Sequence, residues 1–117
     1  MPALQKCQLK DMSPTDLAWL SGWLEGEGCF STLPNNGRKF IRVCTGSTDL
    51  DTIQKAMEIT GIGTLTKRKP GKSNKQYLWM WTVCAKADAR ALLETLLPHM
   101  GIRRSARMRE LLEWADA

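Results

Sequence analysis

Leu17, Leu20 and Leu24 recur at spacings of three and four, which marks one apolar face of a helix. Ser13 precedes them as a candidate N-cap, Pro14 fits the first helical position, and Asp16 follows the cap by three residues. The pattern predicts a helix within residues 13–28 that ends at Gly26-Glu27-Gly28, since glycine tolerates the positive φ that often terminates helices. A second face carries Ala18, Ser21, Gly22, Glu25 and Gly26 and is nearly smooth. Small side chains let two backbones approach closely. Two readings stay open at this point: Gly22 and Gly26 pack against the chain's own sheet, or they meet a second helix.

Downstream the period changes from helical to alternating. Residues 29–33 read as a strand, Pro34-Asn35-Asn36-Gly37 as a turn, and residues 39–45 as the return strand. Ile41 and Val43 point one way while Arg38, Phe40 and Arg42 point the other, so the hairpin has a basic outer face. Thr48-Asp49-Leu50-Asp51 is a second capping signal, and Leu50, Ile53 and Met57 form a stripe that ends at Gly61. Residues 62–68 read as a third strand, 69–75 as a basic turn and 76–84 as a fourth strand. The row Tyr77, Trp79 and Trp81 reads as core rather than as a base-stacking platform, because that strand is apolar on both faces. Residues 87–97 form a third helix, stopped by Pro98. Gly101-Ile102-Arg103-Arg104 is a basic connector to a last helix at 105–115, with Met108, Leu111 and Leu112 on one face. Arg103, Arg104, Arg107 and Arg109 near its start oppose the helix dipole, and a phosphate nearby would relieve them.

The order is helix, two strands, helix, two strands, helix, helix: an α+β class with no internal repeat. At 117 residues the chain is expected to be one domain. Its parts are an N-terminal extension (1–12), the first helix (13–28), two hairpins with their connecting helix (29–84) and the C-terminal helices (85–117).

Charge sharpens the picture. The net charge of +5 favours an acidic partner, nucleic acid first, although a merely basic protein would look the same. Residues 1–12 lack the apolar core of a signal peptide, and no stretch is long enough to cross a bilayer. A cytoplasmic or organellar-matrix protein, not a secreted one, is expected. The cysteines at 7, 29, 44 and 84 make no C-x-x-C pair and read as buried free thiols rather than a zinc site. His99 is the single histidine, which argues against a Ser-His-Asp hydrolase and against nucleases built on several histidines. No phosphate-binding glycine loop is present, and no organic cofactor is expected.

Glu25 and Glu27 sit at a helix C-terminus, where the dipole disfavours acids. They are either two solvated surface glutamates or part of a site for a hard divalent cation, which takes carboxylate, carbonyl and water oxygens.

The whole segment Leu20-Ser21-Gly22-Trp23-Leu24-Glu25-Gly26-Glu27-Gly28 resembles the LAGLIDADG motif of homing endonucleases, in the variant ending Gly-Glu-Gly. Ser21 replaces alanine, and Cys29-Phe30 resembles the small-then-apolar pair that opens the family's first strand. The resemblance extends over residues 14 to 113, through the αββαββα order, the spacing from Val43 to Gly63, Trp81-Thr82-Val83, and Leu96-Leu97-Pro98-His99-Met100. A single motif copy is similar to the homodimeric type.

What the resemblance implies is a site-specific endonuclease that hydrolyses both strands of double-stranded DNA at a long pseudo-palindromic site, with intron or intein mobility as context. Mg2+ is the implied metal, with Mn2+ able to replace it and Ca2+ binding without supporting cleavage. Glu27 is the implied metal-binding carboxylate, the Gly26 carbonyl an added ligand, and Glu25 a residue that caps or shapes the helix end. Arg103 falls at the family's basic active-site position. Thr45 falls where some members place a water-orienting glutamine, and Asp49 lies near it in sequence. The sheet forms a saddle for the DNA major groove. Alternation and family placement agree on Arg38, Phe40, Arg42, Thr64, Thr66 and Arg68 as outward residues, joined by Ser31, Leu33, Asn35, Met80 and Thr82. Ala18, Ser21, Gly22 and Glu25 are the implied dimer face. A non-cleaving DNA-binding or RNA-splicing maturase derivative of the same fold is the alternative.

Overall fold

Ser13 starts the first helix as its sequence predicts. Its Oγ accepts from the Asp16 amide at 3.1 Å, and Pro14 occupies the first turn. In the computed structural model, which describes residues 7–35, 37–69 and 78–116, this helix (α1) runs Pro14–Glu27. Then follow β1 (Cys29–Asn35), β2 (Arg38–Ser47), α2 (Leu50–Thr60), β3 (Thr64–Arg68), β4 (Leu78–Val83), α3 (Lys86–Leu96), a 3-10 turn (Leu97–His99) and α4 (Ile102–Asp116). The predicted 69–75 turn, the start of the fourth strand at 76–77, Asn36 and residues 1–6 lie wholly or largely outside the described residues.

The four strands form one antiparallel sheet in the order β1-β2-β4-β3. The helices cover one face. Phe30, Ile41, Val43, Trp81 and Val83 from the sheet join Leu20, Leu24, Ile53, Leu92, Leu93, Leu96, Met108 and Leu111 from the helices in a single core. Trp81 is fully buried, its Nε1 donates to the Ile62 carbonyl at 3.0 Å, and Trp23 stacks between it and Trp19. Arg90 of α3 makes a two-pronged bond to Asp116, at 2.6 and 2.9 Å, which pins the end of α4.

Several boundaries differ from the sequence reading, each for a physical reason. β1 passes through Pro34 to Asn35, because β1 is an edge strand and its outer side needs no amide donor. α1 does not end on a positive φ. Gly28 is extended (φ −73°), and it is glycine because a Cβ there would lie 2.7 Å from the Leu24 carbonyl. Asp49 is the N-cap of α2 but makes no side-chain cap bond. The left-handed cap at Gly61 (φ 70°) ends α2 as expected. β4 stops at Val83, so Cys84 is not in a strand. The segment read as a basic connector is the beginning of α4, with the Gly101 carbonyl accepting from the Ser105 amide at 2.8 Å.

Candidate nucleic-acid interface and metal site

The strand register puts every outward residue named from the sequence on one face. Ser31 pairs with Arg42, Leu33 with Phe40 and Asn35 with Arg38. Across the other strands, Thr64 and Cys44 both pair with Thr82, Thr66 and Gly46 with Met80, and Arg68 with Leu78. The side chain of Asn35 lies outside the described set. No described helix covers this face, and core residues alternate with it along the strands. Its strand positions hold Arg38, Arg42 and Arg68 and no carboxylate. Thr64 Oγ1 donates to the Thr82 carbonyl at 3.4 Å, and Met80 lies across Gly46, where a Cβ would meet its sulfur at 2.7 Å.

α1 delivers its acidic tip to the start of β1. Glu27 is exposed, and its carboxylate has no partner among the described residues. Thr45 is only 3% exposed, on the inner face of β2, and its Oγ1 donates to the Glu27 carbonyl at 3.1 Å. Thr45 therefore anchors the backbone that carries Glu27. Asp49 is exposed at the head of α2.

Arg103 and its neighbour divide the work. Arg103 is exposed. Arg104 turns inward: its Nη1 donates to the Gly28 carbonyl at 2.6 Å, and its guanidinium lies 5.8 Å from the centre of the Phe30 ring. Arg107 Nε donates to the Phe30 carbonyl at 3.4 Å. The sequence marked Arg104 only as one of four arginines that a phosphate would relieve, and Gly101 only as part of a connector; their bonds to Gly28 and Glu25 were not foreseen. The available signal was that α4 begins with no capping side chain of its own, so an acceptor had to come from elsewhere.

Glu25 is that acceptor. Its Oε1 takes the Gly101 amide at 3.2 Å, placing a carboxylate at the positive end of α4 and offsetting the arginines there. Gly101 must be small, since a Cβ would lie 2.5 Å from Glu25 Oε1. Gly101→Ala should lower stability by about 1–3 kcal/mol by displacing this charged hydrogen bond. In a Glu25→Ala background the same change should cost little. A double-mutant cycle in urea denaturation measures the difference, and equal costs in both backgrounds would sever the link.

The small-residue face of α1 resolves into two parts. Ala18, Gly22 and Gly26 are exposed, and a Cβ at Gly22 or Gly26 would find nothing within 4 Å. The reading in which these glycines pack on the chain's own sheet is therefore wrong. Ser21, only 5% exposed, and half-buried Glu25 turn toward their own chain, leaving Ser21 Oγ and Glu25 Oε2 buried without partners. The thiols also differ from expectation: Cys44 is buried, but Cys7 and Cys29 are exposed. Among the described residues no group of three or more His, Cys, Asp or Glu side chains could hold a metal. At the helix tip Glu27 offers one exposed carboxylate, while the carbonyls of Glu27 and Gly28 already accept from Thr45 and Arg104. No described helix is long and apolar enough to cross a membrane.

Among solved structures, the LAGLIDADG meganuclease I-AabMI, determined bound to uncleaved DNA, superposes with a TM-score of 0.64 at 16% identity. The fold is LAGLIDADG-like. The match covers 81% of this chain and 34% of that protein, so the chain spans about a third of the neighbour's length. No protein-family model matches the sequence, and no curated protein matches it significantly. At this identity the likeness shows the LAGLIDADG-like fold alone.

Proposed function

We propose that this chain is a homodimeric, metal-dependent endonuclease that cuts double-stranded DNA at a specific site. The observation that carries the reading is the bare sheet face. Its outward strand positions hold three arginines and no carboxylate, the arrangement a polyanion needs. The structural neighbour was determined on DNA, which supports the same partner.

On this reading Arg38, Arg42 and Arg68 meet base edges or phosphates, and Thr64, Thr66 and Thr82 meet base edges or phosphates beside them. Glu27, with the Gly26 carbonyl, would hold Mg2+ or Mn2+. Bound there, such a metal would supply polarisation of the phosphate, activation of water and charge stabilisation at the leaving oxygen. Thr45 and Arg104 hold the successive main-chain carbonyls of Glu27 and Gly28, while exposed Arg103 is free to face the scissile phosphate.

Incubating the protein with a randomised DNA library and Mg2+, then sequencing the ends produced, tests the proposal. A recurrent cut site supports it. Salt-sensitive binding without ends would favour the non-cleaving relative of the fold, and no binding would remove both. Arg42→Ala is expected to relax preference at one base position per half-site by about 1–3 kcal/mol. Selection on randomised sites reads this directly, and a uniform fall on all sequences would make Arg42 a phosphate contact instead.

A further inference from the structure

The outer sheet face carries two thiols that the proposed reaction does not use. Cys29 and Cys44 are directly opposed cross-strand partners in β1 and β2. Both stand on the same side as Arg42 and Thr82. Directly opposed residues in an antiparallel pair have Cα atoms about 4.5–5.5 Å apart, within the roughly 4.4–6.8 Å that a disulfide spans. Their Cβ atoms are about 4.5–5.5 Å apart, against the roughly 3.5–4.5 Å a disulfide needs. Closing the bond draws the strands together and strains it, and strained or exposed disulfides are the readily reduced ones.

The two sulfurs have different surroundings. Cys29 is exposed and open to a reagent in solution. Cys44 is 6% exposed, and its Sγ accepts from Arg42 Nη2 at 3.7 Å and Thr82 Oγ1 at 3.6 Å. Bonding to Cys29 would pull that sulfur away from both. Cys29 also opens β1 directly after Gly28, and Cys44 adjoins Thr45, which anchors the Glu27 carbonyl.

We propose that Cys29 and Cys44 form a reversible disulfide across the outer sheet face, which displaces Arg42 and weakens DNA binding. The oxidant is a low-molecular-weight disulfide of the glutathione type. The Cys29 sulfur, as thiolate, attacks it, forms a mixed disulfide and expels one small thiolate. The Cys44 sulfur gives up its proton, attacks the Cys29 sulfur and expels the second small thiol. Two protein thiols are oxidised by two electrons, and one small disulfide is reduced to two thiols. The effect on DNA rests on the function proposed above; formation of the bond does not.

The test uses the full chain, treated with glutathione disulfide and mapped by mass spectrometry of unreduced peptides. The expected product is a Cys29–Cys44 cross-link that dithiothreitol removes, that Cys29→Ser abolishes, and that Cys7→Ser and Cys84→Ser leave in place. Cys29 ending only as a glutathione adduct, or linked to Cys7, Cys84 or another copy, overturns the site. On DNA the oxidised wild type should bind about tenfold more weakly, the scale of losing one arginine contact. Oxidant should not change binding by Cys29→Ser. Unchanged binding by an oxidised, cross-linked wild type overturns the regulatory consequence. A reduced protein that binds no DNA overturns the proposed function while the cross-link result still stands.

Discussion

Glutamine in place of Glu27 should give a protein that holds DNA and no longer cuts it. The exchange keeps size and shape and removes the charge that would hold the cation. It disturbs little else, because the Glu27 side chain is exposed and has no partner among the described residues. Its anchoring bond to Thr45 uses the main-chain carbonyl, which glutamine preserves. The metal's contribution to phosphate transfer amounts to several kcal/mol, so cleavage should fall by about a hundredfold or more. Binding should be equal or tighter, since a negative charge beside the scissile phosphate is gone. Cleavage assays and gel-shift titrations, run in parallel with and without Mg2+, read the two quantities separately. Wild-type cutting by Glu27→Gln would remove Glu27 from the reaction.

Gly22→Leu should separate association from folding. A Cβ at this position meets nothing within 4 Å in the isolated chain and Gly22 is exposed, so the variant should fold and unfold as the wild type does. Ala18, Gly22 and Gly26 form an open stripe one helical turn apart, on a helix whose other faces carry leucine and tryptophan. Two such stripes can cross closely in a two-fold dimer, and a leucine there holds them apart. The closest approach would bring the two Glu27 side chains together, which is what cutting two strands requires. Sedimentation at micromolar concentration should show a dimer for the wild type and a monomer for Gly22→Leu, with tight DNA binding lost. A wild type that is monomeric both alone and on DNA would end the dimer proposal.

The bare sheet face was legible because β2 has one buried side and one open side. Ile41 and Val43 against Phe40 and Arg42 is a period of two that admits one register, and the observed pairing follows it. α1 was legible through its cap and its leucines. Two things were not. Residues 101–104 show no apolar period and no capping side chain, so nothing local marks them as helical. The group that completes this helix end is Glu25, and sequence spacing carries no sign of a partner so distant. Gly28 was misread for a related reason: its small size answers a close approach by the Leu24 carbonyl, not a turn. Propensity records what a residue does to its own backbone, and these residues respond to something else.

The clasp around the helix tip has a consequence for how the chain becomes competent. Glu25 reaches Gly101 and Arg104 reaches Gly28, each across 76 positions, and Arg107 reaches Phe30 across 77. During synthesis α1 and the first hairpin leave the ribosome long before their fasteners exist. Contacts this far apart in sequence close late, after the local hairpins and helices have formed. Thr45 and the first hairpin can hold the Glu27 main chain early, but the bonds from α4 to Gly28 and Phe30 are added only when α4 docks, so a nascent chain carries the acidic tip without its full setting. On the function proposed above, this order of assembly leaves the site incomplete until the C-terminal helix has been made.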